Sequence, residues 1–122
     1  MPLILIADDD LAYSTLLGDL LRSDGYEVEA ISDAGQLDSR LTAHGFNAAI
    51  LDMQMPMGGG PVAAKRIRAH YANVTIPIIV CSGMPIEMAQ PWFKGMAKVS
   101  IFQKPTNFLA LLIELRRLLA EP

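Results

Sequence analysis

Apolar residues in this chain come in short unbroken runs separated by amphipathic stretches. Leu3 to Ala7 is the first run and has the length of a buried strand. Asp8-Asp9-Asp10 ends it. Tyr13, Leu16, Leu17, Leu20 and Leu21 then recur at helical spacing and predict the core stripe of a helix that stops at Gly25. Gly18 inside that helix costs roughly 1 kcal/mol against alanine. Tyr26 to Ile31 alternates weakly and reads as a second strand. Asp33, with Gln36 three residues on, has the form of a capping box. Leu37 and Leu41 give the helix behind it a thin apolar stripe, and Gly45 ends it. The apolar run 46–51 closes on Asp52. Met55-Pro56 and the glycines 58–60 then force a loop.

Pro61 suits the first turn of a third helix. Ala63, Ile67 and Tyr71 share one face of it, with Lys65, Arg66 and Arg68 turned to solvent. Pro77 introduces a fourth strand, Ile78 to Cys81, which ends at Ser82-Gly83. Residues 84–98 are the least regular. Pro85 can start a helix there, and Pro91 breaks or kinks it within two turns. Trp92-Phe93 reads as a packing pair. Val99 to Phe102 is a fifth strand, followed by Gln103-Lys104-Pro105. Thr106 or Asn107 caps a last helix whose core stripe is Phe108, Leu111, Leu112, Leu115, Leu118 and Leu119. Strands and helices in this alternation predict an α/β domain over 1–122. Its form is a doubly wound five-stranded parallel sheet with helices on both faces.

Composition narrows the function classes. A chain of 122 residues that is 52% hydrophobic can build a full core. A net charge of -3 gives no basic surface for nucleic acid. No apolar run approaches the ~20 residues of a membrane span. The N-terminus has no basic region and meets Asp8 too early for a signal peptide. The single Cys81 cannot form an internal disulfide. A reducing, cytoplasmic setting follows as the expectation.

Four polar signals stand just after strands: Asp8-Asp9, Asp52, Ser82 and Lys104. In a parallel sheet all these ends face one edge, and ligands bind outside the strand C-termini. The result is an acidic pocket with one hydroxyl and one ammonium. Carboxylates about 5 Å apart repel by roughly 3 kcal/mol at an effective dielectric of about 20. Either one carboxyl raises its pKa or a cation enters. Oxygen-only ligands with room for water suit Mg²⁺. Lys104 can pair with Asp52 and later with a phosphoryl oxygen.

This set resembles the receiver domain of two-component response regulators over essentially the whole chain. The residues that carry the resemblance are Leu5-Ile6-Ala7-Asp8-Asp9-Asp10, Leu51-Asp52-Met53-Gln54-Met55-Pro56 with Gly60, Cys81-Ser82-Gly83, and Lys104-Pro105. The resemblance implies a flavodoxin-like receiver fold. It makes Asp52 the phosphoacceptor and a histidine kinase or phosphotransfer protein the donor. Asp9, helped by Asp8, would bind Mg²⁺, with Asp52 and the backbone carbonyl of Gln54 completing the protein ligands. Ser82 takes the position whose hydroxyl swings to the new phosphate, and Gly83 leaves room beside it. Lys104-Pro105 matches a peptide bond that is often cis in the family.

The sequence also departs from the family. Ile101 stands where an aromatic residue usually moves inward with the hydroxyl, and Phe102 next to it points to the other face of the strand. Ile101 is expected to fill the gap passively. Pro91, Gly95 and Ala97 make the fourth helix irregular. His44 and His70 lie on predicted surface helices without a ligand partner. Leu109 and Ile113 fall opposite the core stripe of the last helix, near Arg116 and Arg117. They suggest a homodimer or target surface. Two rival functions stand beside the switch. One is a degenerate receiver acting only as a protein-interaction module, against which the intact set of Asp9, Asp52, Ser82 and Lys104 argues. The other is a small phosphatase with an aspartyl nucleophile, against which Gln54 argues, because such enzymes commonly carry a second acid there.

Overall fold

A computed structural model describes residues 1–121 of the chain. Five strands form one parallel sheet: β1 (Leu3–Ala7), β2 (Glu27–Ile31), β3 (Ala48–Asp52), β4 (Ile78–Ser82) and β5 (Val99–Gln103). Their order across the sheet is β2-β1-β3-β4-β5. The central strands β3 and β4 are buried at every residue, as continuous apolar runs in a doubly covered sheet require.

The helices are α1 (Leu11–Ser23), α2 (Leu37–Ala43), α3 (Gly59–His70), α4 (Ile86–Ala89) and α5 (Phe108–Ala120). α1 and α5 cover one face. There Leu17, Leu21, Leu111, Leu115 and Leu118 pack on Ile4, Ile6, Ile50, Ile79 and Cys81. α2 and α3 cover the other face, where Leu37, Leu41, Ala63 and Ile67 pack on Leu5, Leu51, Ile78 and Val80. The predicted doubly wound sheet is the observed one.

Four local expectations change. The buried line of α1 runs through Ser14, Leu17, Gly18 and Leu21, which leaves Leu16 51% exposed. The capping box forms by half. Asp33 accepts from the Gln36 amide at 3.2 Å, but the Gln36 side chain accepts from the Ser32 amide at 2.8 Å. The element so capped is a 3₁₀ turn, Ala34–Gln36, and α2 follows it. That helix ends at Ala43, where His44 turns extended, before Gly45 is reached. Arg68 is not turned to solvent. It reaches across to the carbonyls of Ile76 and Ala97, each at 2.7 Å, and ties the strand-entry loops together.

The Pro91 break is observed. α4 spans one turn and continues as a 3₁₀ turn, Gln90–Phe93. Phe93 is buried there, whereas Trp92 is 60% exposed and is no core residue.

Gly18 faces the sheet, where a Cβ would lie 3.8 Å from Val28 and 3.9 Å from Ile6, an ordinary contact distance. The nearest atom is the flexible tip of Arg22 at 3.3 Å. Gly18→Ala is therefore expected to stabilise the fold by about 0.5–1 kcal/mol, since alanine removes the helix penalty of glycine without strain. Urea denaturation of the variant checks it, and a loss of stability would show that the helix sits tighter on β2 than this geometry allows.

Candidate functional site

The strand ends build the site because parallel strands deliver all their C-termini to one edge. Asp8 follows β1 and is buried. Its Oδ1 accepts from the Asp10 amide at 2.9 Å, and its Oδ2 accepts from Lys104 Nζ at 3.1 Å. Asp52 ends β3 and is 6% exposed. Its Oδ1 accepts from the Gln54 amide at 3.3 Å and lies 3.4 Å from Lys104 Nζ. Asp9 is exposed beside them. Each of Asp8, Asp9 and Asp52 offers an oxygen within 4.8 Å of the others.

Electrostatics follow from this crowding. Burial, then the charge of Asp8, pushes the Asp52 carboxyl from its ordinary 3.8 up to about 6, against the pull of Lys104 and the Gln54 amide. Burial also works against the Lys104 ammonium. The Asp8 hydrogen bond and the charges of both carboxylates outweigh it and raise the lysine above its usual range. One ammonium thus serves two buried carboxylates, and the pocket remains net acidic. Its donors are hard oxygens, with Asp9 open to solvent, so the cluster could hold a divalent cation of the Mg²⁺ kind. Asp9 and Gln54 also share the wall of an open hollow of about 470 Å³ beside the 53–59 loop.

Ser82 ends β4 and is fully buried at the same edge. Its carbonyl accepts from the Lys104 amide at 2.7 Å. Its hydroxyl is turned to the Met84 backbone, donating to the carbonyl at 3.1 Å and accepting from the amide at 3.0 Å. A Cβ at Gly83 would meet nothing within 4 Å, so the space beside Ser82 is open. The Lys104-Pro105 peptide bond is cis. Ile101 is half-buried against the α3–α4 face and lines a hollow of about 220 Å³ with Phe93 and Met96. Phe102 packs on the opposite, α1–α5 face, as strand alternation requires.

His44 and His70 lie outside this edge, His44 paired with Glu29 at 2.8 Å and His70 edge-on to Tyr71. Sequence reasoning placed Tyr13 only in a core stripe and missed its place at the site. Its ring centroid lies 4.4 Å from Lys104 Nζ, and its hydroxyl pairs with Thr106 Oγ1 at 2.7 Å. Burial, followed by the influence of Cys81, raises its pKa, so the phenol stays neutral. The available signal was Asp10, an N-cap that places Tyr13 in the first turn next to the acidic pair.

The chain matches the response regulator receiver domain family over residues 4–116 and belongs to it. It is 27% identical over 119 residues to the aerobic respiration control protein ArcA of Escherichia coli strain K12, which covers 98% of this chain and 49% of ArcA. The chain therefore spans about half the length of that relative. It is 31% identical over 81 residues to the CAI-1 autoinducer sensor kinase/phosphatase CqsS of Vibrio cholerae, covering 66% of this chain and 12% of CqsS. The chemotaxis response regulator CheY4 of Vibrio cholerae has the same fold, with a TM-score of 0.85 at 25% identity, over 97% of this chain and 98% of that one. Among the described residues no helix is long and apolar enough to cross a membrane.

Proposed function

We propose that this receiver domain is a phosphorylation-controlled switch whose Asp52 accepts a phosphoryl group from a histidine kinase or phosphotransfer protein in a Mg²⁺-dependent reaction. The observation that carries the reading is one buried strand-end carboxylate set against Asp8, Asp9 and a shared lysine. An Asp52 oxygen attacks phosphorus, the bond from phosphorus to the donor imidazole breaks, and the imidazole leaves with that electron pair. Mg²⁺ held by Asp9, Asp52, Asp8 and the Gln54 carbonyl would neutralise the phosphoryl oxygens. Lys104 shifts its ammonium from the Asp52 carboxylate to a phosphoryl oxygen. The Ser82 hydroxyl leaves Met84 and donates to the new phosphate, entering the space that Gly83 leaves open. The domain catalyses only its own phosphorylation and dephosphorylation, and its setting is cytoplasmic.

The output runs through protein contacts. Leu109 and Ile113 of α5 are 69% and 61% exposed, and they line a hollow of about 440 Å³ with Leu112 and Arg116. A homodimer or a target protein fits this patch. The double variant Leu109→Glu with Ile113→Lys should fold as the wild type does and lose association severalfold in sedimentation or partner titration. Unaltered association would make the patch incidental.

Acetyl phosphate tests the central claim. With Mg²⁺ the protein should gain one phosphoryl group by mass, and with EDTA it should gain none. Asp9→Ala should weaken Mg²⁺ binding by tenfold or more. No uptake under any condition would leave the domain as an interaction module.

A further inference from the structure

The ammonium of Lys104 touches three things: Asp8 Oδ2 at 3.1 Å, Asp52 Oδ1 at 3.4 Å, and the face of the Tyr13 ring, whose centroid is 4.4 Å away. We propose that Tyr13 is a positioning residue for Lys104, its ring being the platform on which the ammonium rests and moves during phosphoryl transfer. The inference rests on the reading of Asp52 as the phosphoacceptor.

The ring and the backbone that carries it are both held. Its hydroxyl pairs with Thr106 Oγ1 at 2.7 Å, and Phe108 leans on it with centroids 5.5 Å apart. On the backbone side the Tyr13 amide donates to Asp10 Oδ1 at 3.1 Å, and the Asp10 amide donates to Asp8 Oδ1 at 2.9 Å. A closed circuit therefore runs from Asp8 through Asp10 and Tyr13 to Lys104 and back to Asp8. In it the carboxylates of Asp8 and Asp10 hold the backbone amides of Asp10 and Tyr13, and the Tyr13 ring, Lys104 and Asp8 close it through their side chains.

A ring suits the task for a physical reason. A lysine stem is long and flexible, and its strongly hydrated ammonium has no fork geometry to hold it in place. A third carboxylate beside it would compete with the phosphoryl oxygens for the ammonium. An aliphatic residue would desolvate the ammonium and give nothing back. The face of an aromatic ring attracts a cation over its whole area, so the ammonium can slide and remain compensated. That is needed when Asp52 loses its carboxylate charge and the negative charge moves out to the phosphoryl oxygens.

The test uses the whole domain with acetyl phosphate and Mg²⁺. Phenylalanine, then mono-, di- and trifluorinated phenylalanine, is placed at position 13, so that shape is kept while the ring face loses its negative potential. Tyr13→Phe should remain within about threefold of wild type. The trifluorinated ring and Tyr13→Leu should slow phosphoryl uptake about five- to twentyfold. In the Lys104→Met background the same series should be flat. A rate indifferent to fluorination overturns the proposal, as does an equal loss in the Lys104→Met background, which would mark Tyr13 as packing alone. Should Tyr13→Leu fail to fold, the isosteric fluorinated series decides. The Lys104 ε-methylene proton shifts read the ring contact without any reaction. A wild type that keeps the ring-shifted signals yet takes up no phosphoryl group sinks the switch reading, and this role with it, while the contact itself stands.

Discussion

Asp52→Asn is expected to take up no phosphoryl group and, without divalent cation, to be more stable than the wild type at pH 8. The two effects have one cause. Burial and Asp8 hold the Asp52 carboxyl at about 6 instead of its ordinary 3.8, so its charged form is disfavoured in the folded state. That penalty is fully present above the folded value. It is relieved as pH falls from 7 through 6 towards 4, where the folded state binds the proton before the unfolded state does. Asparagine carries no such charge. Its advantage should be roughly 1–3 kcal/mol at pH 8 and should shrink steadily towards pH 4. Urea titrations in EDTA across that range check the sign. Mg²⁺ at tenfold its dissociation constant should stabilise the wild type by about 1.4 kcal/mol and the variant by less. A variant less stable than wild type at pH 8 would mean that Lys104 compensates Asp52 fully.

The part of this site that was legible in the sequence is the part set by topology. Asp8, Asp52, Ser82 and Lys104 each follow an apolar run of strand length. Once the strands are parallel they must share an edge, whatever the details of packing. The helix surfaces were less legible. Periodicity marks an apolar stripe but does not say where its centre meets the sheet, so Leu16 was assigned inward when Ser14 and Gly18 take the buried line. Arg68 carries a charge and reads as surface. It is drawn in because the crossing loops leave the Ile76 and Ala97 carbonyls pointing at it, and only a side chain with several donors can serve both. Trp92 reads as a packing residue paired with Phe93. It lies outside because Pro91 stops the helix and the short 3₁₀ turn buries only Phe93. Tyr13 reads as packing because its partner Lys104 lies at the far end of the chain. The meeting of the two depends on how α1 and the loop after β5 are set against each other.

Gly59→Ala is expected to cost about 3–4 kcal/mol, a large share of the stability of a domain this size. The glycine is needed for two separate reasons. Its φ is +66°, in the left-handed region where a side chain adds about 1 kcal/mol of strain. A Cβ there would also lie 2.4 Å from the Met53 carbonyl oxygen, a backbone atom that cannot rotate away. That carbonyl already accepts from the Gly60 amide at 3.1 Å and so fixes the start of α3 against the residue after Asp52. The whole 53–59 loop must move to admit the methyl group, and it carries the Gln54 amide that holds the Asp52 carboxylate. The variant should therefore lose phosphoryl uptake more than tenfold even where it remains folded at low temperature. Gly45→Ala is the matched control, with an ordinary φ and nothing within 4 Å of the added atom, and it should stay within about 0.5 kcal/mol of wild type. A Gly59→Ala protein within 1 kcal/mol of wild type in urea would show that the loop is free to lift from Met53. In that case the tight approach of the glycines does not hold Asp52 in place.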